Sequence, residues 1–235
     1  MKIVWHTSFR LTDNRIRNEE LLFCLNKNLQ NPVIDAVVYY GEEPISLTHA
    51  KLQQVLLNAR PTFLEIFKYY KAGEINCLAN GDIFANKTIS LAKKIDGNEF
   101  WCLSRFNLRR KKGMCSSHRF RWGDSQDCWI VNGQAKEMGN FYMGVLGCDN
   151  LIAFEAANAG YKVTNPSYSV FMFHFHLSEM RAYSEATRVG TPDTIRRVYP
   201  QVLNRPSILL LRDLIIKWMA KIKKKDIKVP MSLLK

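Results

Sequence analysis

The chain has 235 residues and 27.2 kDa, with 47% hydrophobic and 11% aromatic residues, 34 Lys+Arg against 21 Asp+Glu, and a formal charge of +13. That apolar content, with only 12 Gly and 8 Pro, excludes disorder as the dominant state, and the sequence has no apolar run of the roughly 18 residues that a spanning helix needs. The charge is concentrated: residues 105–122 and 205–235 each carry +7, leaving the rest of the chain at −1.

Lys2–His6 reads as a first strand running into the polar loop Thr7–Asn14, and nothing in Met1–Phe9 predicts a secretory signal. Glu19–Leu29 reads as a helix broken at Asn31-Pro32. Val33–Tyr40 is a nearly continuous β-prone run, as expected of a strand covered on both faces. Thr62–Lys71 carries Phe63, Ile66, Phe67 and Tyr70 at helical spacing, with Gly73 as a stop. Ile75–Ala79 and Glu99–Leu103 read as strands with a short helix over Thr88–Ile95 between them. Trp129–Val131 is a candidate core strand, and Leu151–Ala159 a helix stopped by Gly160. This alternation predicts an α/β fold with a mostly parallel central sheet flanked by helices. Ligand-binding residues then belong in the loops beyond the strand ends: 7–14, 80–87 and 104–123.

The six cysteines form no CxxC pair, which argues against a zinc knuckle or a thioredoxin-like motif and predicts reduced, mostly buried thiols in a cytoplasmic protein. Asp82 in Asn80-Gly81-Asp82 follows a hydrophobic strand, where a lone carboxylate suits a divalent cation; the same tripeptide is also a common turn. Asp149 or Asn150 sits at a helix start, so Asp149 reads either as an N-cap or as a general base, with the helix end favouring its ionised form. From Ser169 to Leu177, Phe171, Phe173 and Phe175 alternate with Met172, His174 and His176. This places two histidines on one strand face, for a metal, a phosphate, or simple core packing. Asp124, Gln126 and Asp127, near Trp122 and Trp129, could stack on and hydrogen-bond a sugar. Arg60 and Arg105 stand at element boundaries, where a guanidinium clamps a diphosphate or forms a surface ion pair.

Seven elements in this order resemble a small nucleotide-sugar-dependent glycosyltransferase of the GT-A type, in a family found in bacterial, viral and plant sequences. They are Arg60-Pro-Thr-Phe63, Leu78-Ala-Asn-Gly-Asp-Ile-Phe84, Leu103-Ser-Arg-Phe106, Asp124-Ser-Gln-Asp-Cys-Trp129, Gly147-Cys-Asp-Asn150, Ala159-Gly-Tyr-Lys-Val-Thr-Asn-Pro-Ser167 and His174-Phe-His176, spanning roughly residues 60–183. The resemblance implies a GT-A-like, Rossmann-like domain over 1–185 and a basic amphipathic extension over 186–235. Asn80-Gly81-Asp82 would stand for the DxD motif, departing from it at Asn80, with Asp82 and one of His174 and His176 holding Mn²⁺ or Mg²⁺. Asp149 would be the acceptor-activating base. Thr7, Asp35, Arg60, Asn80, Gly81 and Arg105 would meet the donor, and Trp122, Asp124, Gln126, Asp127 and Asn150 the acceptor.

Ile208, Leu211, Ile215, Trp218, Met219 and Ile222 form one helical stripe beside a lysine-rich face. Such a segment within 205–235 suits either an anionic membrane surface or the protein's own core. The membrane reading makes the protein peripheral and favours a cell-surface or lipid-linked glycan acceptor. The Arg109-Arg-Lys-Lys112 run, followed by Arg119, Phe120, Arg121 and Trp122, suits a DNA backbone, with transfer to hydroxymethylated bases as the second reading. A nucleotide-binding or nucleic-acid-binding module without catalysis is the third.

Overall fold

The computed structural model describes residues 1–108, 114–116, 123, 125–176, 178, 185–204 and 228–230. In chain order the strands and α-helices are β1 (Lys2–Ser8), α1 (Arg15–Gln30), β2 (Ala36–Gly41), β3 (Leu52–Leu56), α2 (Phe63–Phe67), β4 (Glu74–Asn80) and β5 (Ile83–Ala85). After a 3-10 segment over Lys87–Lys94 come β6 (Glu99–Leu103), β7 (Arg105–Asn107), β8 (Met114–Ser116), β9 (Cys128–Asn132), α3 (Cys148–Asn158), β10 (Lys162–Thr164), β11 (Met172–His174) and β12 (Lys228–Pro230).

Seven strands form the main sheet in the order β10-β6-β9-β4-β1-β2-β3. β9 runs antiparallel to both β4 and β6; the other pairings are parallel. The expected mostly parallel α/β architecture is therefore present. From β1 the chain moves out to β2 and β3, then returns to the other side of β1 as β4. That reversal makes the carboxyl ends of β1 and β4 a topological switch point, where ligands bind in such sheets.

Strand alternation divides the core in two. Ile3, Trp5, Val37 and Tyr39 pack with Leu25 and Leu29 of α1 and with Ile89 and Ala92 of the 3-10 segment. Val4, Val38 and Tyr40 face the other side, against Phe63, Ile66 and Phe67 of α2 and Ile152, Ala153 and Ala156 of α3. Trp129 is buried in β9 as the sequence predicts, with the Phe63 ring edge-on at 4.9 Å. His6 lies inside this second face between Tyr40 Oη and Asn76 Oδ1, each 2.9 Å away. Burial pushes its pKa down to about 4 against the Asn76 hydrogen bond, so it is a neutral core histidine near pH 7.

Several boundaries differ from expectation for identifiable reasons. Asn14 caps α1 by accepting the Arg17 amide at 2.9 Å, so the helix begins at Arg15 rather than Glu19. α2 starts with a Thr62–Glu65 capping box but ends at Phe67, because Tyr69 and Tyr70 turn back with bonds to Ile66 and Phe67 before Gly73 at φ 80°. The regular strand within 169–177 is only Met172–His174.

A second sheet, β5-β11-β7, stands at the end of the first. β11 is antiparallel to β5 and parallel to β7, so His174 lies opposite both Ile83 and Asn107. Phe84, Phe106 and Phe173 cluster on one face with Phe171 and Phe175 packed beside them, and His174 and His176 take the other parity. The free edge of β5 is met by α1: Asn28 donates to the Ile83 carbonyl and accepts from the Ala85 amide, and Asn31 donates to the Ala85 carbonyl, each at 3.0 Å. Buried side-chain amides thereby replace a missing strand neighbour. β8 and β12 form a separate antiparallel pair. Residues 185–204 run back over the main body, with Val189, Val198 and Gln201 amides bonding to Leu146, Gly123 and Asn165 carbonyls. The amphipathic stripe at 208–222 and the Arg109–Lys112 run lie outside the described residues. No described helix is long and apolar enough to cross a membrane.

Candidate active site

Asp82 immediately precedes β5, and its carbonyl accepts the Phe175 amide at 2.9 Å. This register fixes the loop after β4 against the end of β11. Asp82 Oδ2 then lies 3.1 Å from His174 Nε2 and 3.6 Å from His176 Nδ1. Ligand atoms of the three side chains lie within 4.8 Å of one another, in a group suited to a metal ion. His174 Nδ1 is 3.0 Å from Asn107 Oδ1, which also accepts from Arg105 Nε at 3.3 Å. The Asn107 amide thus anchors one ring nitrogen and orients the other, Nε2, toward Asp82, the outer-shell arrangement typical of metal-binding histidines.

The fit to a cation rests on two observations. His176 Nε2 is buried with no hydrogen-bond partner, although His176 stands beside a carboxylate. Asp82 is held ionised: burial raises its pKa, but the charge and hydrogen bond of His174, the hydrogen bond of His176 and the Arg17 charge outweigh this and hold it well below the carboxylate range. One carboxylate and two imidazoles suit a transition metal better than Mg²⁺, which prefers an oxygen shell.

Two residues that sequence reasoning did not single out complete this cluster. Arg17 Nη2 lies 2.7 Å from Asp82 Oδ2, and its Nη1 lies 3.0 Å from Glu20 Oε2. Glu20, itself buried, accepts from the Ser178 amide at 2.6 Å and the Ser178 hydroxyl at 2.9 Å. Arg17 and Asp82 are 65 residues apart, and no local pattern marks the pair.

Asp149 stands at the other side. The N-cap of α3 is Gly147, left-handed at φ 87°, with no side-chain cap bond, so neither Asp149 nor Asn150 is the cap as expected. Asp149 lies in the first turn and accepts from the Gln126 amide at 3.3 Å and the Asn150 amide at 3.1 Å. Burial and then the charge of Asp127 push its carboxyl up to about 7, outweighing these backbone bonds. The expectation that the helix end would favour the ionised form is thus overturned, because desolvation and a neighbouring carboxylate outweigh the first-turn dipole.

Asp127 forms a close ion pair with Arg105 Nη1 and accepts from Asn80 Nδ2 at 3.0 Å. Arg105 also donates to Ser125 Oγ at 3.2 Å, so its guanidinium is held by protein groups. Gly81 is packed beneath Phe9, whose Cβ lies 2.7 Å from where a Cβ on Gly81 would sit. Thr7 and Gln126 are buried near the strand ends, and Arg60 is exposed, with its Nη2 against Gly144. Asn150 follows Asp149, and its carbonyl accepts the Arg196 amide at 3.4 Å.

Asp35 is not brought to this site. It precedes β2 and accepts the Ile3 amide at 2.8 Å, at the amino edge of the sheet, because the strand begins at Ala36 rather than Val33. Trp122 and Asp124 lie outside the described residues. Cys24, Cys77, Cys102, Cys128 and Cys148 are free and buried, as the spacing predicts.

No family model matches the sequence. No curated protein matches it. Among solved structures 36 chains match. One is the crystal structure of S. aureus TarS 1–349, with a TM-score of 0.47 and 13% identity over 74% of this chain and 60% of that one. The chain therefore spans three-fifths of that neighbour's length.

Proposed function

We propose that the protein is a nucleotide-sugar-dependent glycosyltransferase. The observation that carries this reading is the pairing, at the carboxyl edge of a mostly parallel sheet, of the Asp82–His174–His176 cluster with Asp149. Cleaving a sugar–phosphate bond leaves negative charge on the departing nucleoside diphosphate, which a divalent cation at the cluster would neutralise. Of the two cations considered, the two imidazoles favour Mn²⁺ over Mg²⁺.

In this scheme Asp149 Oδ accepts the acceptor hydroxyl's proton as that oxygen forms its bond to the sugar. A carboxyl at about 7 suits that task, since a general base works best with a pKa near the operating pH. Asn107 orients His174, and Asp127 raises the basicity of Asp149. Arg60 is exposed in the loop after β3, where it can meet donor phosphate, and Thr7 lies near the end of β1. Gln126 and Asn150 flank Asp149, on the side assigned to the acceptor. A glycan hydroxyl is the acceptor in this reading, with 1–185 as the catalytic domain and 186–235 as an extension.

The test is a panel of nucleotide sugars incubated with the full chain, with Mn²⁺, with Mg²⁺ and with chelator, scored for nucleoside diphosphate release. Release with at least one donor, greater with Mn²⁺ than Mg²⁺ and abolished by Asp82→Asn, is expected. No release from any donor, with or without a glycan acceptor, would leave a binding module as the better reading.

A further inference from the structure

We propose that Arg17 is a resident counter-cation of the Asp82 site, which a divalent cation must displace, and that it thereby sets the metal affinity of the site. The inference rests on the metal-site reading above and adds to it a residue outside the ligand set.

Asp82 Oδ2 is the atom on which both histidines converge, and Arg17 Nη2 approaches that same oxygen more closely than either, at 2.7 Å against 3.1 and 3.6 Å. The pair is largely enclosed, with side-chain exposures of 18% for Arg17 and 11% for Asp82. A carboxylate oxygen cannot serve a guanidinium and a metal ion at full strength together, and two cations packed side by side away from water repel strongly. Without a metal, Arg17 prevents Asp82 from standing as a buried charge without a matching guanidinium, which keeps the metal-free site stable.

Displacement need not carry Arg17 far. Its other terminal nitrogen is 3.0 Å from Glu20 Oε2, and Glu20 is fixed by the Ser178 amide and hydroxyl. The tether keeps the guanidinium at the rim of the site when it leaves Oδ2. A pair that closes the site most of the time weakens metal binding in proportion to the fraction of sites left open. A lysine in place of Arg17 could not span Glu20 and Asp82 at once, because a single ammonium lacks the forked donors of arginine.

Mn²⁺ binding to the full chain by titration calorimetry, with wild type, Arg17→Gln, Arg17→Lys, Asp82→Asn and the double variant Arg17→Gln/Glu20→Gln, tests this. Arg17→Gln should tighten Mn²⁺ binding by about tenfold, the gain expected if about nine-tenths of sites are closed by the pair. Arg17→Lys should tighten it less, and Asp82→Asn should abolish it. Arg17→Gln should also melt lower without metal yet gain more from saturating Mn²⁺ than wild type. The double variant leaves no orphaned Glu20 charge and should show the same gain of about tenfold over wild type even where the single variant folds poorly. If Asp82→Asn loses binding while the Arg17 variants bind as wild type does or more weakly, the metal and Arg17 share Asp82 through different oxygens and the inference is overturned. If wild type and Asp82→Asn bind Mn²⁺ alike, or neither binds it, the metal-site reading itself fails, and the inference with it.

Discussion

Replacing Asp149 with asparagine should stabilise the protein at alkaline pH while removing transfer. The Asp149 carboxyl is pushed from its ordinary value of 3.8 to about 7 by burial and by Asp127. The folded state therefore binds this proton more tightly than the unfolded chain does. Stability from this group is complete below the unfolded value and is lost as pH rises between about 4 and 7. A shift of about three pH units corresponds to about 4 kcal/mol at most. The asparagine of the variant carries no charge, so this loss is absent from it. Its side chain also keeps only one oxygen for the two amides of Gln126 and Asn150, at a cost on the order of 1 kcal/mol that does not vary with pH.

The diagnostic quantity is thus the pH dependence of the difference between the two proteins. Thermal melts at pH 5 and pH 8.5 should show the variant gaining relative to wild type by several degrees or more over that interval, since about 1 kcal/mol moves a domain of this size by roughly 2–4 °C. In parallel, wild-type kcat/KM should fall below pH 7, with only about a tenth of Asp149 ionised at pH 6. A constant melting difference between the two pH values would refute the burial argument. An acid limb that persists in the variant's residual activity would refute the base assignment.

Two further substitutions separate orientation from scaffold. Asn107→Leu removes the acceptor that fixes His174 Nδ1, so Mn²⁺ affinity should drop by about 10- to 100-fold with little change in the melting profile, because Asn107 is only partly buried at the end of β7. Asn28→Leu strips both polar partners from the edge of β5, leaving the Ile83 carbonyl and Ala85 amide unsatisfied. Urea unfolding should register a loss of about 2–4 kcal/mol; a loss below about 1 kcal/mol would mean that another group takes over the β5 edge.

The elements that could be read in the sequence are those whose side chains alone decide burial. β1, β4 and β6 are short apolar runs inside the sheet, and their residues are dictated by two covered faces. The alternation of Phe173 and Phe175 with His174 and His176 likewise survives folding, because parity along a strand is a local property. β3 escaped notice because Leu52–Leu56 carries two glutamines and lies half exposed at the sheet edge, where no alternation is enforced. The sequence leaves Asp149 between cap and base because its neighbours mark a helix start, whereas its pKa depends on Asp127 and Gln126, more than 20 residues away. Asp35 was misplaced because the β-prone run conceals which of its residues enters the ladder first. Arg17 lay outside any sequence signal, since the packing of α1 against β5 decides which carboxylate it meets.

The cations of the site fall into two classes, and this changes what each can do for a ligand. The position of Arg105 allows a diphosphate clamp or an ion pair, and the structure engages its Nη1 with Asp127 and Ser125 and its Nε with Asn107. Through Asn107 it fixes the acceptor that orients His174, and through Asp127 it holds the carboxylate that raises Asp149. One guanidinium therefore spans both halves of the site, and its charge is already balanced by protein groups. Arg17 is balanced in the same way by Asp82 and Glu20. Arg60 differs: it is exposed, makes no ion pair among the described residues, and has its Nη2 packed on Gly144, 2.6 Å from where a Cβ on that glycine would be. Gly144 itself has φ 69°, so a larger residue would both strain the backbone and push the guanidinium away. In the proposed reaction Arg60 is therefore the one of these three arginines left to meet donor phosphate, while Arg105 and Arg17 are held in ion pairs with Asp127, Asp82 and Glu20.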